Sequence, residues 1–289
     1  MVPRQFNLLE EPVMTFASIL VHVEVDPAEE PRLRLAADLA NQFDAALVGV
    51  GAEIYEPPTA AAALGYVDGE TLVAEAKAIQ DDLRQTEALF AKAATTVRMG
   101  SDWRSGIGLP AEMVIQESRA ADLIVCGPRK PDKWGFHDHA DVGEILMGAG
   151  RPVLVTPPGF SSLDASTVVV AWKETREARR AISDALPFLK RADQVLVAEV
   201  CEQNDEDDAR AHVADVVEFL GRHGVKASAT VRCAGRGSTA SALMQIADMQ
   251  DAGLIVAGGY GHARVQEWIF GGVTQALLAG FPRAVLLSH

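Results

Sequence analysis

Residues 251–260 read DAGLIVAGGY and residues 120–129 read AADLIVCGPR. Each holds a short apolar run, Leu-Ile-Val and a small residue, entered from an aspartate and closed by glycine. A run of that length bounded by turn-formers is the pattern of a strand buried on both faces. Gly127 falls over Gly258 at an offset of 131, so the chain carries an internal repeat. Working outward, FASILVHVEVD (16–26) is similar to STVVVAWKETR (166–176), and FDAALVGV (43–50) to ADQVLVAEV (192–200). Here Asp44 lies over Asp193 and Leu47 over Leu196, at an offset of 149. The fall from 149 to 131 gives the first copy 18 additional residues between Val50 and Ala121. The stretch AEIYEPPTAAAALGYVDG, Ala52 to Gly69, has neither helical nor strand period and about that length, and is expected to be an inserted loop.

Alternating apolar runs and amphipathic segments predict βαβ units and a parallel sheet covered on both faces. In the second copy the expected strands are Thr167–Trp172, Asp193–Val200, Val225–Arg232, Gly253–Ala257 and Ala284–Leu287. The expected helices are Thr175–Lys190, Glu206–His223, Ser238–Gln250 and Gly272–Ala279. In the second of these segments Val213, Val216, Val217 and Leu220 share one helical face while Asp215 and Glu218 point away. In the first copy the strands are expected near Phe16–Val23, Asp44–Gly51, Thr95–Met99, Asp122–Gly127 and Pro152–Thr156. Its helices are expected near Pro31–Phe43, Thr71–Ala94, Pro110–Arg119 and Asp141–Ala149. The fold class is α/β: two doubly wound, Rossmann-like, five-stranded parallel-sheet domains in tandem, 1–158 and 159–289, related by a pseudo-two-fold. Thr156-Pro-Pro-Gly-Phe-Ser-Ser supplies a short linker.

Composition narrows the function. The 289 residues are 48% apolar and 23% charged, the profile of a folded globular protein. Forty acidic against 26 basic residues give a net charge of −14, a field that opposes nucleic acid as a partner. Residues 1–158 hold 24 acidic and 13 basic side chains, and residues 159–289 hold 16 and 13, so the second copy is close to neutral. Three cysteines, Cys126, Cys201 and Cys233, are too few and too far apart for a disulfide framework or a four-cysteine zinc site, which fits a reducing cytoplasm. No apolar run approaches a membrane span, and MVPRQFNLLEEPV lacks the basic-then-apolar pattern of a signal peptide.

In an open parallel sheet a ligand sits outside the carboxyl ends of the strands, where strand order reverses. The loops after Trp172, Val200 and Ala257 are therefore the candidates. The last reads GGYGHARVQEWIFGGVTQALL, 258–278. Gly258 and Gly261 allow close backbone approach, and Gly271-Gly272 open a helix whose first amides are unpaired.

The spacing Gly258-x2-Gly261-x9-Gly271-Gly272, after an LIVAG strand end and before a terminal helix and the strand AVLLS, resembles the nucleotide-binding loop of the universal stress protein family. The first strand and helix, VVVAWKETREARRAISDALPFL, resemble that family's as well, and with both copies the chain resembles a tandem universal stress protein. The resemblance implies an adenine nucleotide alpha hydrolase-like fold and pairing of the two domains through their last strands. It implies ATP or ADP, with any magnesium arriving on the nucleotide, against Ala171, Trp172, Lys173, Thr175, Val200, Gly258, Gly261, His262, Gly271, Gly272, Val273 and Thr274. It further implies a regulatory or interaction role in a cytoplasmic stress response, protein partners of unknown identity, and a dimer of chains.

Two positions depart from the family. Gly272 stands where a hydroxyl residue usually follows the third glycine, with Thr274 two residues on. Lys173 stands where an aspartate usually contacts adenosine, and a lysine accepts no hydrogen bond. These departures carry the alternative reading, a structural or interaction module that binds no nucleotide.

In the first copy the corresponding loop, GPRKPDKWGFHDHADVGEIL (127–146), keeps only the first glycine. Pro128 and Pro131 remove amide donors, so this half is expected not to hold a nucleotide in the family's manner, Glu24 at its first strand end notwithstanding. His137-Asp138-His139 with Asp141 has the residue types of a metal site, but such runs are common in polar loops and no metal site is predicted. Arg129, Lys130 and Lys133 read as a surface charge cluster, and Cys126 as a small buried apolar residue. A non-nucleotide ligand in this crevice under the inserted loop, apolar in view of Tyr55, Leu64 and Tyr66, is a further alternative. There is no Gly-x-Ser-x-Gly elbow, Walker lysine loop or His-Glu-x-x-His helix, and no catalytic residue is assigned. At most His262 would assist slow phosphate hydrolysis.

Overall fold

The computed structural model describes residues 15–26, 29–55, 69–128, 140–202, 204–233, 238–259 and 282–289. In chain order these form β1 (Ser18–His22), α1 (Glu29–Phe43), β2 (Ala46–Glu53), α2 (Gly69–Ala94), β3 (Ser101–Ile107), α3 (Pro110–Glu117), β4 (Leu123–Cys126), α4 (Val142–Gly148) and β5 (Val153–Val155). The second half follows with β6 (Thr167–Trp172), α5 (Arg176–Leu189), β7 (Gln194–Cys201), α6 (Glu206–Arg222), β8 (Ala227–Cys233), α7 (Thr239–Met249), β9 (Leu254–Gly258) and β10 (Ala284–Ser288).

All ten strands join one sheet in the order β3-β2-β1-β4-β5-β10-β9-β6-β7-β8. Within each half the strands run parallel, and order reverses between the first and fourth, which places a crevice between β1 and β4 and another between β6 and β9. The halves meet where β10 runs antiparallel to β5, Val285 opposite Val155 and Leu287 opposite Val153. Each final strand thus covers the other's edge, as the sequence resemblance implied.

The central strands β4, β5 and β9 are apolar throughout, and β1, β6 and β10 are polar only at their ends, because both faces are covered. One core lies under α1, α2, α5 and α6, and the other under α3, α4 and α7. The first core runs unbroken across the junction. Phe16, Phe43 and Phe188 stack with centroids 5.0 to 5.3 Å apart, two of the rings from the first half and one from the second. Arg191 lies over the Phe43 ring at 4.5 Å and donates to the Gln42 carbonyl.

Three expectations need correction. The strand expected at Thr95–Met99 is Ser101–Ile107. The α2 helix runs on to Ala94, a turn with Gly100 at φ +94° follows, and only then does the chain enter the sheet. This is an edge strand with one neighbour and mostly uncovered side chains, SDWRSGI, so it has no apolar run to announce it.

The repeat is also not in the register that identity of residues suggested. Ile19 pairs Leu47, and its counterpart Val168 pairs Val195. Leu47 and Val195 both face the α1/α5 core, whereas Leu196 faces the other side. A strand's side chains alternate faces, so a one-residue slip inverts them all, and the true offset here is 148.

The extra length, finally, is not one loop. From Leu47 to its β3 partner Ser101 is 54 residues, against 32 from Val195 to Ala227. Nine residues of that difference are helix, since α2 has 26 residues and α6 has 17. Ala52 and Glu53 belong to β2 and Gly69 opens α2. The remainder of that stretch from 56 to 68, and the expected helix Gly272–Ala279, lie outside the described residues.

Candidate functional site

The second-half crevice is built from the ends of β6, β9 and β10 and the start of α5. Trp172 closes β6 with its ring turned into the α5-side core, and its indole N–H has no partner among the described residues. The chain then turns through exposed Lys173 and Glu174. Thr175 caps α5, its hydroxyl accepting from the Ala178 amide at 3.3 Å, which is why the helix starts at Arg176. Gly258 ends β9 directly beneath this first turn. A Cβ there would lie 2.5 Å from the Ala178 nitrogen and 2.7 Å from the Glu177 carbonyl carbon, so the strand needs glycine to let the helix amides come down onto it.

Glu177 is buried beside Arg176. Burial pushes its carboxyl up, but hydrogen bonds from Arg176, its own amide and Thr175 outweigh that and hold it below the usual carboxylate range. Arg176 reaches the His289 ring at 3.3 Å, and the ring's Nδ1 lies 3.1 Å from the Gly259 carbonyl oxygen. Ser288, the last residue of β10, is 1% exposed, and its hydroxyl has no partner among the described residues.

The same place in the first half is filled from within. Arg32 and Glu29, 5% and 0% exposed, form an ion pair under the ends of β4 and β5. The Arg32 Nε donates to the Thr156 hydroxyl at 3.3 Å, and that hydroxyl is 3.4 Å from the Cys126 carbonyl. A Cβ on Gly127 would meet the guanidinium, 2.8 Å from its Cζ. The buried faces of α1 and α5 superimpose at an offset of 149, with Leu33 on Ile182, Ala36 on Ala185 and Ala40 on Leu189. Glu29 and Arg32 then correspond to Ala178 and Ala181, and Thr156 to Ser288. One half puts a buried guanidinium over the glycine at its crevice and the other puts alanines there.

Of the sequence-predicted residues, Trp172, Lys173, Thr175 and Gly258 come together around the start of α5, Ala171 packs against the core on the opposite face of the sheet, and Val200, on that same opposite face, sits one strand further out, next to the end of β7. Gly261, His262, Gly271, Gly272, Val273 and Thr274 lie outside the described residues, as do Arg129, Lys130, Lys133 and His137 to His139. The Asp141 carboxylate caps α4, accepting from the Glu144 amide at 3.0 Å. Among the described residues no three His, Cys, Asp or Glu side chains are grouped to hold a metal ion, and no helix is long and apolar enough to cross a membrane. Cys126 is 1% exposed, and burial pushes its thiol up to about 12, the state of an inert core residue.

Sequence reasoning missed Glu29 and Arg32. Their i,i+3 spacing at a helix start reads as a solvated pair, and only the fold shows that the strand ends cover them. It also missed a cleft of about 280 Å³ between Glu53, Ile54 and Tyr55 and the α2 residues Glu75, Ala78, Ile79 and Asp82. Burial, then Asp82 and Glu24, push the Glu53 carboxyl up. The three carboxylates make this cleft less suited to the apolar ligand envisaged beneath the extra loop.

No family model matches the chain, and neither does any curated protein. Solved structures do. A universal stress protein from Archaeoglobus fulgidus DSM 4304 superimposes with a TM-score of 0.71 at 15% identity, over 94% of this chain and 97% of its own. A functionally unknown protein from Pseudomonas aeruginosa PAO1 gives 0.57 at 15% identity over 94% and 92%. A candidate universal stress protein from P. aeruginosa UCBPP-PA14 gives 0.56 at 16% over 94% and 93%. Matches over nearly the full length of both partners show a shared fold. The chain is folded as two universal stress protein units in tandem.

Proposed function

We propose that this doubled universal stress protein fold binds one adenine nucleotide, ATP or ADP, in the crevice of its second half, and that nucleotide occupancy alters its contacts with protein partners in a cytoplasmic stress response. The observation that carries the reading is the contrast between the two crevices. Arg32 and Glu29 fill the first, while the second has Ala178 and Ala181 in their place, a helix start drawn against Gly258, and buried Ser288 and Trp172 groups without a partner among the described residues.

In this reading the adenosine end lies along Ala171, Trp172, Lys173, Thr175 and Val200. The phosphates lie on Gly258, Gly261, His262 and the helix opened by Gly271, Gly272, Val273 and Thr274, where unpaired amides and the helix dipole favour negative charge. Lys173, exposed at the rim, supplies a positive charge for the phosphates or turns to solvent. The near-neutral charge of this half imposes less repulsion on an anion than the first half would. The domains are taken as 1–158 and 159–289, the first serving as a structural partner. Calorimetric titration with ATP and ADP tests the proposal. A saturable heat supports it, and no heat and no thermal shift at millimolar nucleotide would overturn it in favour of an interaction module that binds no nucleotide.

A further inference from the structure

Cys201 and Cys233 are 32 positions apart in sequence and neighbours in the fold. They are the last residues of β7 and β8 and stand directly opposite one another in the parallel ladder. Facing residues on adjacent strands lie about 4.8 Å apart, inside the roughly 4.4–6.8 Å between Cα atoms that a disulfide spans. β7 ends at Cys201, with Glu202 outside the sheet, so the small approach of Cβ atoms that a bond requires distorts no continuing strand on the Cys201 side. Register partners in a parallel pair also point to the same face of the sheet. Both thiols are free, Cys201 buried and Cys233 partly open to solvent on the edge strand of the sheet. The Cys233 Sγ donates to a Glu206 carboxylate oxygen at 3.4 Å, in the first turn of α6.

We propose that Cys201 and Cys233 are a redox-active pair that closes to an intrachain disulfide when the protein meets a hydroperoxide. The Cys233 thiol, the accessible one, loses its proton to solvent and its sulfur attacks the peroxide O–O bond. That bond breaks, a sulfenic acid forms on Cys233, and the departing hydroxide or alkoxide takes up a proton. The Cys201 sulfur then attacks the sulfenic sulfur, the S–S bond forms, and the sulfenic oxygen leaves as water with the Cys201 proton. Two thiols give up two electrons, and one peroxide becomes water and an alcohol or a second water. A dithiol reductant reverses the change by thiol exchange.

Glu206 sets the rate. Its carboxylate, with burial and the neighbouring Cys201 thiol, pushes the Cys233 thiol up to about 11, so little thiolate exists near neutral pH and the pair closes slowly. The pair lies beyond Val200 and outside the crevice between β6 and β9, and its chemistry holds whether or not a nucleotide binds.

The test is intact-mass spectrometry of the full chain exposed to hydrogen peroxide, followed by peptide mapping without reduction. The expected result is a loss of about 2 Da, a linked peptide pair containing Cys201 and Cys233, and recovery of the original mass with dithiothreitol. C201S and C233S should each abolish the linked pair, C126S should leave it, and E206Q should speed its formation several-fold. Wild-type protein in which both thiols persist, or in which they oxidise separately to sulfinic acids with no linked peptide, would overturn the proposal.

Discussion

Alanine at Gly258 and alanine at Gly127 are the same substitution at equivalent places, and the structure assigns them different costs. At 258 the new Cβ would sit 2.5 Å from the Ala178 nitrogen and 2.7 Å from the Glu177 carbonyl carbon. Both are backbone atoms of the first turn of α5, which is anchored by Ala181, Ile182, Ala185, Leu186 and Phe188 in the core. Ordinary contact begins near 3.4 Å, so the turn must withdraw by about 0.9 Å, a forced overpacking of a kind that costs about 1–3 kcal/mol. At 127 the Cβ meets the far end of the Arg32 side chain, which can rotate while α1 stays in place. Gly→Ala also stiffens the unfolded chain, which returns about 0.4–1 kcal/mol in both variants. The expected net losses are about 2 kcal/mol for G258A and under about 1 kcal/mol for G127A, read from urea unfolding of the two proteins against wild type. G258A within about 0.5 kcal/mol of wild type, or G127A the more damaged of the two, would refute the contrast drawn between the crevices.

Other consequences are open to the same kind of measurement. F188A removes the ring that ties the second half to Phe16 and Phe43; a loss of about 3–5 kcal/mol is expected, and a loss below about 1 would mean that the β5–β10 pairing alone joins the halves. T175A removes the α5 cap and should cost about 1 kcal/mol, with T175S close to wild type. Burial pushes the Glu199 carboxyl above its ordinary value of 4.5, and His212, 3.4 Å away, draws it only part of the way back. The folded state therefore holds that proton more tightly than the unfolded state, and this contribution to stability is lost as pH rises from 4.5 through the folded value. E199Q should match wild type in acid and gain on it across that window, as followed by unfolding midpoints; a gain confined to the acid side would reverse the sign.

How much of this could be read from the chain depended on where burial was two-sided. Val168 to Val170 and Leu254 to Val256 are apolar without interruption because helices cover both faces, and those strands stand where the sequence put them. The α5 helix was legible from its cap, Thr175, and its apolar face. β3 was not, because an edge strand holding Asp102 and Arg104 buries too little to leave a pattern. The register of β2 was misjudged for a related reason. With apolar residues on both faces, Leu47 matched Leu196 as well as it matched Val195, and only the pairing with β1 separates them. Glu29 with Arg32 and Cys201 with Cys233 were out of reach because contact between distant strand ends is a property of topology. In both pairs the residue types were visible and the neighbours were not.

Hydrogen exchange with and without ATP bears most directly on the central claim, that the second crevice takes one nucleotide and the first takes none. The account predicts slowed exchange at the amides around Trp172 to Ala178 and at Gly258 and Gly259, with no change at Glu29 to Leu33 or at Gly127. Protection of the first-half amides, or of both sets equally, would contradict it.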